Sequence, residues 1–320
     1  MDKRVIIFGG SGFIGSHVAD ALTDAGYNVT IFDCKKSPYL QKKQNMIIGD
    51  VLDEKAVERA VKGCTIVYNF AGIADIGEAT QKPLESVKTN ILGNTVILEA
   101  CRKNRIKRFV YASSIYVYSK TGSFYRSTKQ ACELLIENYN EVFGLPYTIL
   151  RYTSLYGPRA DERNFIHQIL KQAITTGKII REGDGEEIRE YLHICDAARC
   201  SVDILSLKFK NQYVIISGNQ QMKVKDLLMM VKEILDNKVD IKCVEPSYTY
   251  HYEVTPYTFA PKLAKRITSQ TYLDLGQGIL SLIQELSERI SKFPKQDGLT
   301  IKESLPKPKE KAGGVKGIAR

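Results

Sequence analysis

The stretch "RVIIFGGSGFIG" (Arg4–Gly15) decides the fold of this chain. Its first half is an apolar run typical of a buried strand. Its second half spaces Gly9, Gly12 and Gly15 as G-x-x-G-x-x-G in front of a helix predicted over 14–26. Glycines at these positions allow a tight turn and let a pyrophosphate approach the backbone N–H groups at the start of the helix. The stretch therefore predicts a dinucleotide-binding loop at the first strand–helix turn.

A carboxylate stands at the place where such a loop needs one. The second predicted strand, over 28–33, ends on Asp33, which lies 18 residues beyond Gly15. A carboxylate there accepts hydrogen bonds from the adenosine ribose hydroxyls and repels a 2′-phosphate. We therefore predict NAD rather than NADP as the cofactor, with Lys35 and Lys36 close enough to soften the preference.

Outward from the loop, buried strands alternate with helical patterns through the first half of the chain. Strands are predicted at 4–9, 28–33, 45–50, 65–71, 108–114 and 147–152. Helices are predicted at 14–26, 53–62, 84–103 and 126–143. This alternation indicates an α/β fold with a doubly wound parallel sheet, an NAD-binding Rossmann domain that we place at residues 1–160.

The second half of the chain is organised differently. After Pro158 the elements become shorter, and we predict a smaller C-terminal substrate domain over 161–291, with part of 189–206 packing back on the first domain. Residues 292–320 hold eight Lys or Arg and three acidic residues, so this segment carries 8 − 3 = +5, half of the net charge of +10. We predict a disordered, solvated basic tail there, and favour this over a tail that binds RNA or an anionic surface.

Composition narrows the class of protein further. The seven cysteines form no C-x-x-C pair and predict reduced thiols, and the four scattered histidines give no metal-site spacing, so we expect no metal. No apolar run reaches the roughly 18 residues that span a bilayer. The opening "MDKRVIIFGG" predicts a strand rather than a signal peptide. We expect a cytoplasmic protein with no membrane partner.

Hydroxyl and amine side chains crowd the stretch "SSIYVYSKTGSFYRSTK" (113–129), from which we select three. Ser114 ends a predicted strand, and ligands of a parallel α/β sheet bind at the carboxyl ends of strands. Tyr125 and Lys129 share one face of a predicted helix because they are four residues apart. A tyrosine with a pKa near 10 is a poor base at neutral pH, but a neighbouring ammonium and a nicotinamide cation lower that pKa. Alone, Y-x-x-x-K is a chance surface pattern; beside the nucleotide loop and Ser114 it predicts a catalytic set.

Motifs along the chain follow the order found in the extended short-chain dehydrogenase/reductase family, and the chain resembles its NAD-dependent sugar-nucleotide epimerases and dehydratases. The motifs are "GGSGFIG", Asp33, "GDVLD" (49–53), "NFAG" (69–72), "NILGN" (90–94), "SSIYVYS" (113–119), "YRSTK" (125–129), "LRYTSLYGP" (150–158) and "REYLHICDAA" (189–198). The resemblance implies NAD as the cofactor and a nucleotide sugar as the substrate. It also implies a homodimer formed by the helices at 84–103 and 126–143.

Individual roles follow from the same resemblance. Tyr125 would be the base, and Lys129 would bind the nicotinamide ribose hydroxyls and depress the pKa of that tyrosine. The residues implied to be catalytic are Ser114, Tyr125 and Lys129. Those implied to contact the cofactor are Gly9, Gly12, Phe13, Ile14, Gly15, Asp33, Asp50, Val51, Ala71, Tyr125, Lys129 and Tyr152. Those implied to contact the substrate are Ser114, Asn164 and Arg189.

Departures from the family narrow the reaction. Ile115 and Tyr116 stand where the 4,6-dehydratases carry an Asp-Glu pair for water loss, and neither transfers protons at neutral pH. The sequence therefore favours 4-epimerisation, which needs one base and one reversible hydride transfer. The alternatives are an NAD(P)-dependent nucleotide-sugar reductase or dehydrogenase and a non-catalytic dinucleotide-binding protein. Ser114 and Tyr125 are only 11 residues apart, an unusually short connection that leaves the sugar and the base open.

Overall fold

The computed structural model describes residues 3–218, 221–245 and Glu253. The chain divides into two compact units, Met1–Pro261 and Lys262–Arg320, and every described residue belongs to the first. The predicted tail and the end of the predicted substrate domain lie outside the described residues. Within the described ranges, no helix is both long and apolar enough to cross a membrane.

The described secondary structure alternates as the sequence predicts. The strands are β1 (Arg4–Phe8), β2 (Asn28–Asp33), β3 (Asn45–Ile48), β4 (Ile66–Asn69), β5 (Arg108–Ser114), β6 (Tyr147–Tyr152), β7 (Ser154–Tyr156), β8 (Lys178–Glu182), β9 (Ile188–His193), β10 (Gln212–Ile216), β11 (Gln221–Lys223) and β12 (Asp240–Val244). The α-helices are α1 (Phe13–Asp24), α2 (Glu54–Val61), α3 (Ile76–Gln81), α4 (Pro83–Ser86), α5 (Gly93–Lys103), α6 (Ser123–Phe143), α7 (Phe165–Thr176), α8 (Ile194–Asp203) and α9 (Val224–Ile234). A π-helical segment (Val87–Leu92) joins α4 to α5, and short 3-10 turns follow β5 (Ile115–Tyr118) and α8 (Leu207–Phe209).

Seven parallel strands form the main sheet in the order β10-β6-β5-β4-β1-β2-β3. β1 lies inside the sheet between β2 and β4, with Val5 opposite Val29 of β2 on one side and Ile66 of β4 on the other. The strand order reverses between β1 and β4, which is where doubly wound sheets bind their ligands. The predicted fold class is confirmed.

Both faces of the main sheet are buried, which explains the continuous apolar run of β1. Ile6 and Phe8 point into the cluster that also includes residues of α2, α5 and α6. Val5 and Ile7 point into the opposite cluster, which includes residues of α1 and α8. Because successive side chains of a strand alternate between faces, one short run of sequence supplies both cores.

Part of the predicted substrate range joins the main sheet. α8 packs against α1, and the buried Tyr68 hydroxyl of β4 donates to Ser201 O at 2.6 Å. β10 pairs with β6 at the sheet edge, which the sequence pattern does not predict. The smaller sheets, β11-β9-β7 and β12-β8, adjoin a third cluster built from α7 and α9. The boundary at residue 160 stays a prediction.

Candidate active site

The glycine loop after β1 is packed so tightly that two of its glycines leave no room for a side chain. Gly9 has a φ of +75°, and a Cβ built on it would lie 2.5 Å from Ala71 N. A Cβ on Gly15 would overlap Gly9 O. Gly12 differs, because the nearest atom to its Cβ position is Gly9 O at 3.4 Å. The fold of the loop therefore requires Gly9 and Gly15, whereas space remains beside Gly12.

The start of α1 lies directly behind this loop. Gly12 precedes the helix and provides no side-chain cap, and the first turn holds no acidic residue. The first N–H groups of a helix lack acceptors within it, and the helix dipole favours an anion at that end. Phe13 and Ile14, two predicted cofactor contacts, form this turn. The backbone here fits a pyrophosphate.

Asp33 closes β2 beside the glycine loop. Its Oδ2 accepts a hydrogen bond from Ser11 N at 3.0 Å, and its Oδ1 accepts one from Lys35 N at 3.1 Å. The Ser11 hydroxyl in turn donates to Lys35 O at 2.9 Å. These bonds fix the carboxylate against the loop, where its remaining lone pairs can accept hydrogen bonds from ribose hydroxyls.

Three further predicted cofactor contacts follow strands of the same sheet. Asp50 comes after β3, and its Oδ1 accepts a hydrogen bond from Leu52 N at 2.9 Å. Val51 is buried in the core. Ala71 comes after β4, and its N–H donates to Asn69 Oδ1 at 3.0 Å. Because ends of neighbouring parallel strands meet at one sheet edge, these residues lie on the edge that carries the glycine loop.

Buried asparagines hold this edge together, and the sequence analysis assigned them no role. Asn69 Nδ2 donates to Asn94 Oδ1 at 2.9 Å. Asn90 Oδ1 accepts from Ile73 N at 2.7 Å, and its Nδ2 donates to Ile73 O at 3.1 Å and Thr128 Oγ1 at 3.0 Å. Asn90 lies in the π-helical segment, a type of irregularity frequent at functional sites. The motif "NILGN" includes Asn90 and Asn94, but a motif does not show which backbone groups an amide reaches.

The last two residues of β5 have different partners. Ser114 is 7% exposed, and its Oγ accepts a hydrogen bond from Tyr116 N at 3.3 Å. The Ser113 hydroxyl donates to Glu133 Oε1 of α6 at 2.6 Å. Ser114 therefore keeps its hydroxyl proton available for another acceptor at the carboxyl end of a central strand.

Tyr125 and Lys129 lie one turn apart on α6, which contacts β5. The Lys129 Nζ lies 5.7 Å from the centre of the Tyr125 ring and 4.8 Å from the centre of the Tyr111 ring. It donates to Ala112 O at 2.7 Å, and the side chain is only 6% exposed. The tyrosine and the lysine are thus together beside the strand that ends at Ser114.

Burial changes the proton affinity of Lys129. Desolvation lowers its pKa from 10.5 to about 8, while the Cys132 thiol and the Glu133 carboxylate oppose this shift. A cation with a lower pKa in the folded state destabilises the fold as long as it is charged. That cost is fully present below about pH 8 and disappears as the pH rises toward 10.5, where the unfolded chain also loses the proton.

The Lys129→Met variant should be more stable than the parent protein at pH 7. The lowered pKa corresponds to a cost of roughly 3 kcal/mol, and the lost hydrogen bond to Ala112 offsets about 1 kcal/mol. The net gain of about 2 kcal/mol should shrink near pH 10, and urea unfolding at both pH values measures it. Lys107→Met, at an exposed lysine, should change the free energy of unfolding by less than about 0.5 kcal/mol. A Lys129→Met protein less stable than its parent at pH 7 would contradict this account.

The short connection into α6 is fastened at several points. Arg126 Nη1 donates to Ser119 O at 3.0 Å and to Lys120 O at 2.6 Å. Gly122 has a φ of +106°, and a Cβ on it would lie 2.9 Å from Tyr116 Cδ1. A glycine is therefore required where the connection passes the Tyr116 ring.

Tyr116 packs against the predicted base. Its ring meets that of Tyr125 edge-on, with centroids 6.0 Å apart and an angle of 76° between the planes. Ile115, the other residue at the position of the dehydratase acid pair, is 1% exposed. An aromatic ring therefore lies beside Tyr125 at one of the two positions where the resemblance implies an acid in the dehydratases.

The two predicted substrate contacts of the second half are engaged within the protein. Asn164 Oδ1 accepts from His167 N at 3.2 Å and caps α7, and its Nδ2 donates to Leu155 O at 2.7 Å. Arg189, 9% exposed in β9, donates to Glu253 O at 3.3 Å. Their contact with a nucleotide stays a prediction, and it would require exchange of some of these bonds.

Tyr152, a predicted cofactor contact, has its side chain in the core. The hydroxyl shares a hydrogen bond with Ser201 Oγ at 2.7 Å, and burial raises the pKa of Tyr152. The side chain is thus committed to packing α8 on the sheet, and a cofactor contact at this position stays a prediction. In the part of the chain that the structure describes, no group of three or more His, Cys, Asp or Glu side chains could hold a metal ion.

A family model and two relatives with known names are similar to most of this chain. The model of a family described as the NAD dependent epimerase/dehydratase family matches residues 5–215. A "UDP-N-acetyl-alpha-D-glucosaminuronate decarboxylase" of Bacillus cytotoxicus is 28% identical in an alignment over 284 residues that covers 80% of this chain and 88% of the relative. A "Putative UDP-glucose 4-epimerase" of Methanocaldococcus jannaschii is 28% identical in an alignment over 249 residues that covers 71% of this chain and 81% of the relative.

A solved structure is similar over most of the chain. It is the UDP-N-acetylglucosamine 4-epimerase of Methanobrevibacter ruminantium in complex with UDP-N-acetylmuramic acid, with a TM-score of 0.72 and 27% identity. The similarity covers 81% of this chain and 90% of that one.

Proposed function

Because this chain belongs to the NAD-dependent epimerase/dehydratase family, we propose that it is a 4-epimerase of a nucleotide-activated sugar. The family is NAD-dependent, which confirms the predicted cofactor and the resemblance found in the sequence. One observation carries the proposal: Tyr125 and Lys129 lie together beside the strand that ends at Ser114, and no acid stands at Ile115 or Tyr116.

The proposed reaction assigns a task to each residue of this set. When bound along the glycine loop, NAD supplies a reversible hydride acceptor at its nicotinamide ring. Ser114 donates a hydrogen bond to the sugar oxygen while Tyr125 takes the hydroxyl proton, and the Lys129 ammonium stabilises the phenolate. With NAD held at the glycine loop, the cofactor would accept the hydride of the same carbon and return it to the opposite face of a transient 4-keto sugar. Tyr125 would hold the hydroxyl proton meanwhile and return it to the sugar oxygen, so that the carbon is inverted.

Binding roles complete the proposal. Gly9, Gly12 and Gly15 lie against the pyrophosphate, and Asp33 accepts hydrogen bonds from the adenosine ribose. Asn164 and Arg189 bind the nucleotide diphosphate of the substrate, because an arginine fork can donate to two phosphate oxygens at once. These last two belong to the proposed substrate domain at 161–291.

A panel of nucleotide sugars tests the proposed function. UDP- and dTDP-linked hexoses and hexuronic acids are screened with NAD for a rise in melting temperature, since ligands stabilise the state that binds them. NMR then identifies the products of the best binders. Equilibration of two 4-epimers without accumulation of reduced nicotinamide is expected. A 4-keto-6-deoxy sugar, carbon dioxide or stoichiometric reduction or oxidation of the cofactor would instead identify a dehydratase, a decarboxylase, or a reductase or dehydrogenase. Turnover of none would contradict the proposal.

We also propose that the protein is a homodimer. Apolar side chains stand exposed on the helical run at 83–103 and on α6, among them Leu92 at 51% and Leu134 at 61% exposed. A second copy would cover them in a four-helix contact. Light scattering at micromolar concentration should give the mass of two chains, and Leu134→Lys should lower it to one chain because it would bury an unpaired charge. A single-chain mass for the parent protein would refute the dimer.

A further inference from the structure

A buried ion pair lies one helical turn beyond Lys129. Arg151 of β6 donates from Nε to Glu133 Oε1 at 3.0 Å and from Nη2 to Glu133 Oε2 at 2.7 Å, so the two side chains meet as a fork. The Ser113 hydroxyl adds a third donor to the same carboxylate at 2.6 Å. The side chain of Glu133 is 7% exposed and that of Arg151 is 13% exposed. The carboxylate thus joins α6 to the ends of two central strands.

Aromatic rings hold the arginine in place. The guanidinium carbon of Arg151 lies 4.6 Å from the ring centre of Tyr118 and 4.3 Å from that of Tyr213. Its Nη1 also donates to the Tyr118 hydroxyl. The 3-10 turn after β5 and the edge strand β10 therefore contribute to the same cluster. A movement of α6 that displaced Glu133 would therefore disturb the contacts of Arg151 with Glu133 and with both rings.

Both ends of this network adjoin the catalytic set. Ser113 immediately precedes Ser114, and Glu133 lies four residues after Lys129 on the same helix. Burying two charges is costly, and exchanging such a pair for apolar residues is often neutral or stabilising. A role in placing neighbouring groups therefore accounts for the pair better than stability does.

We propose that Glu133 is a positioning residue for Tyr125 and Lys129. Its carboxylate fixes α6 against the end of β5, and its charge helps Lys129 to stay protonated. The expected effect on kcat rests on the proposed function, because Glu133 acts on the reaction through Lys129. The expected effect on the protonation of Lys129 does not.

The surroundings of Lys129 support the electrostatic part. The titratable groups that face it are Tyr125, Cys132 and Glu133 on α6 and Tyr111 on β5, and Arg151 of β6 lies behind Glu133. Burial raises the pKa values of Tyr111 and Cys132, so both are neutral at pH 7. The fork of Arg151 and the Ser113 hydroxyl both donate to the Glu133 carboxylate. Apart from Tyr125, the proposed base, Glu133 is therefore the group facing Lys129 that supplies a negative charge. This charge favours the ammonium form of Lys129.

Two variants at this position separate charge from placement. Glu133→Gln removes the charge, and we expect kcat to fall roughly tenfold at pH 7 because the Lys129 ammonium loses the carboxylate that favours it. The alkaline limb of the kcat profile should also move to lower pH, because Lys129 then loses its proton earlier. Glu133→Asp keeps the charge but shortens the reach, so it should lower kcat and leave the alkaline limb near its original position.

Asp20→Asn is the matched control. It breaks the ion pair between Asp20 of α1 and Arg159, which follows β7; this pair has the same nitrogen–oxygen distance of 2.7 Å. This variant should lose stability and leave the alkaline limb unmoved. A limb that moved equally in Asp20→Asn and Glu133→Gln would overturn the inference, because loss of stability alone would then explain it.

A measurement without turnover keeps this test separate from that of the proposed function. The protein is labelled with carbon-13 at the lysine ε position, and the NMR signal missing from Lys129→Met identifies Lys129. Its midpoint of titration should fall in Glu133→Gln and stay close to that of the parent in Glu133→Asp. An unchanged midpoint in Glu133→Gln overturns the inference whatever the enzyme does with nucleotide sugars. If Glu133→Gln does not fold, a Glu133→Asp protein with unaltered kcat overturns the positioning role.

Discussion

Tyr125→Phe should lower turnover by roughly 10²–10⁴-fold, the range that a positioned acid–base group contributes. The substitution removes only the hydroxyl that would take the sugar proton, so the ring and its edge-on contact with Tyr116 remain. Lys129 also remains, so the variant should still bind NAD. Steady-state kinetics with the best substrate, together with calorimetric titration of NAD, measure both quantities.

Tyr139→Phe is the control for this prediction. It removes a tyrosine hydroxyl from the same helix, one that donates to Glu99 Oε1 at 2.7 Å rather than to a group near Ser114. Its turnover should stay within a few-fold of the parent. Full activity in Tyr125→Phe would remove the proposed base, and an equal loss in both variants would show that any lost tyrosine hydroxyl on α6 impairs the enzyme.

Gly12→Ala should weaken NAD binding roughly a hundredfold, a loss of about 3 kcal/mol, while leaving the fold intact. Gly12 has φ −79° and ψ −178°, which alanine adopts without strain, and only Gly9 O lies near its Cβ position. A methyl group would therefore meet no protein atom at a prohibitive distance. It would instead stand beside the helix start where we predict that the pyrophosphate binds.

Gly15→Ala provides the contrasting case. A Cβ at Gly15 would overlap Gly9 O and lie 2.9 Å from Gly10 Cα, and neither backbone atom can yield cheaply. We expect a loss of about 1–3 kcal/mol in the free energy of unfolding. Thermal unfolding without NAD separates the two variants, because only Gly15→Ala should melt earlier. Unaltered NAD affinity in Gly12→Ala would contradict the predicted place of the pyrophosphate.

Much of the fold could be predicted because its signals are local. The apolar run of β1 supplies side chains to the cores on both faces of the sheet. The turn that follows needs glycines, because a Cβ at Gly9 or Gly15 would overlap backbone atoms. β10 could not be predicted in the same way. It is a short strand, and its place beside β6 follows from α8 returning the chain to the sheet edge.

The candidate site shows the same division. Helical periodicity alone places Tyr125 and Lys129 on one face of α6. It does not show that Lys129 reaches Ala112 O, or that Asn90 reaches Ile73, because those partners are distant in sequence. Arg151 likewise gave no sign of its fork with Glu133, since an arginine near a strand end is usually exposed.

The sequence by itself determined the Rossmann sheet, and it predicted the NAD loop and the choice of one tyrosine among several, because each depends on spacing within a strand, a turn or a helix. Only the tertiary structure decided which side chains are committed to the core. It showed that Tyr152 packs against Ser201 and that Glu133 is buried in an ion pair with Arg151. Burial and ion pairing arise where separate elements meet, and the spacing of residues within one element does not specify that meeting.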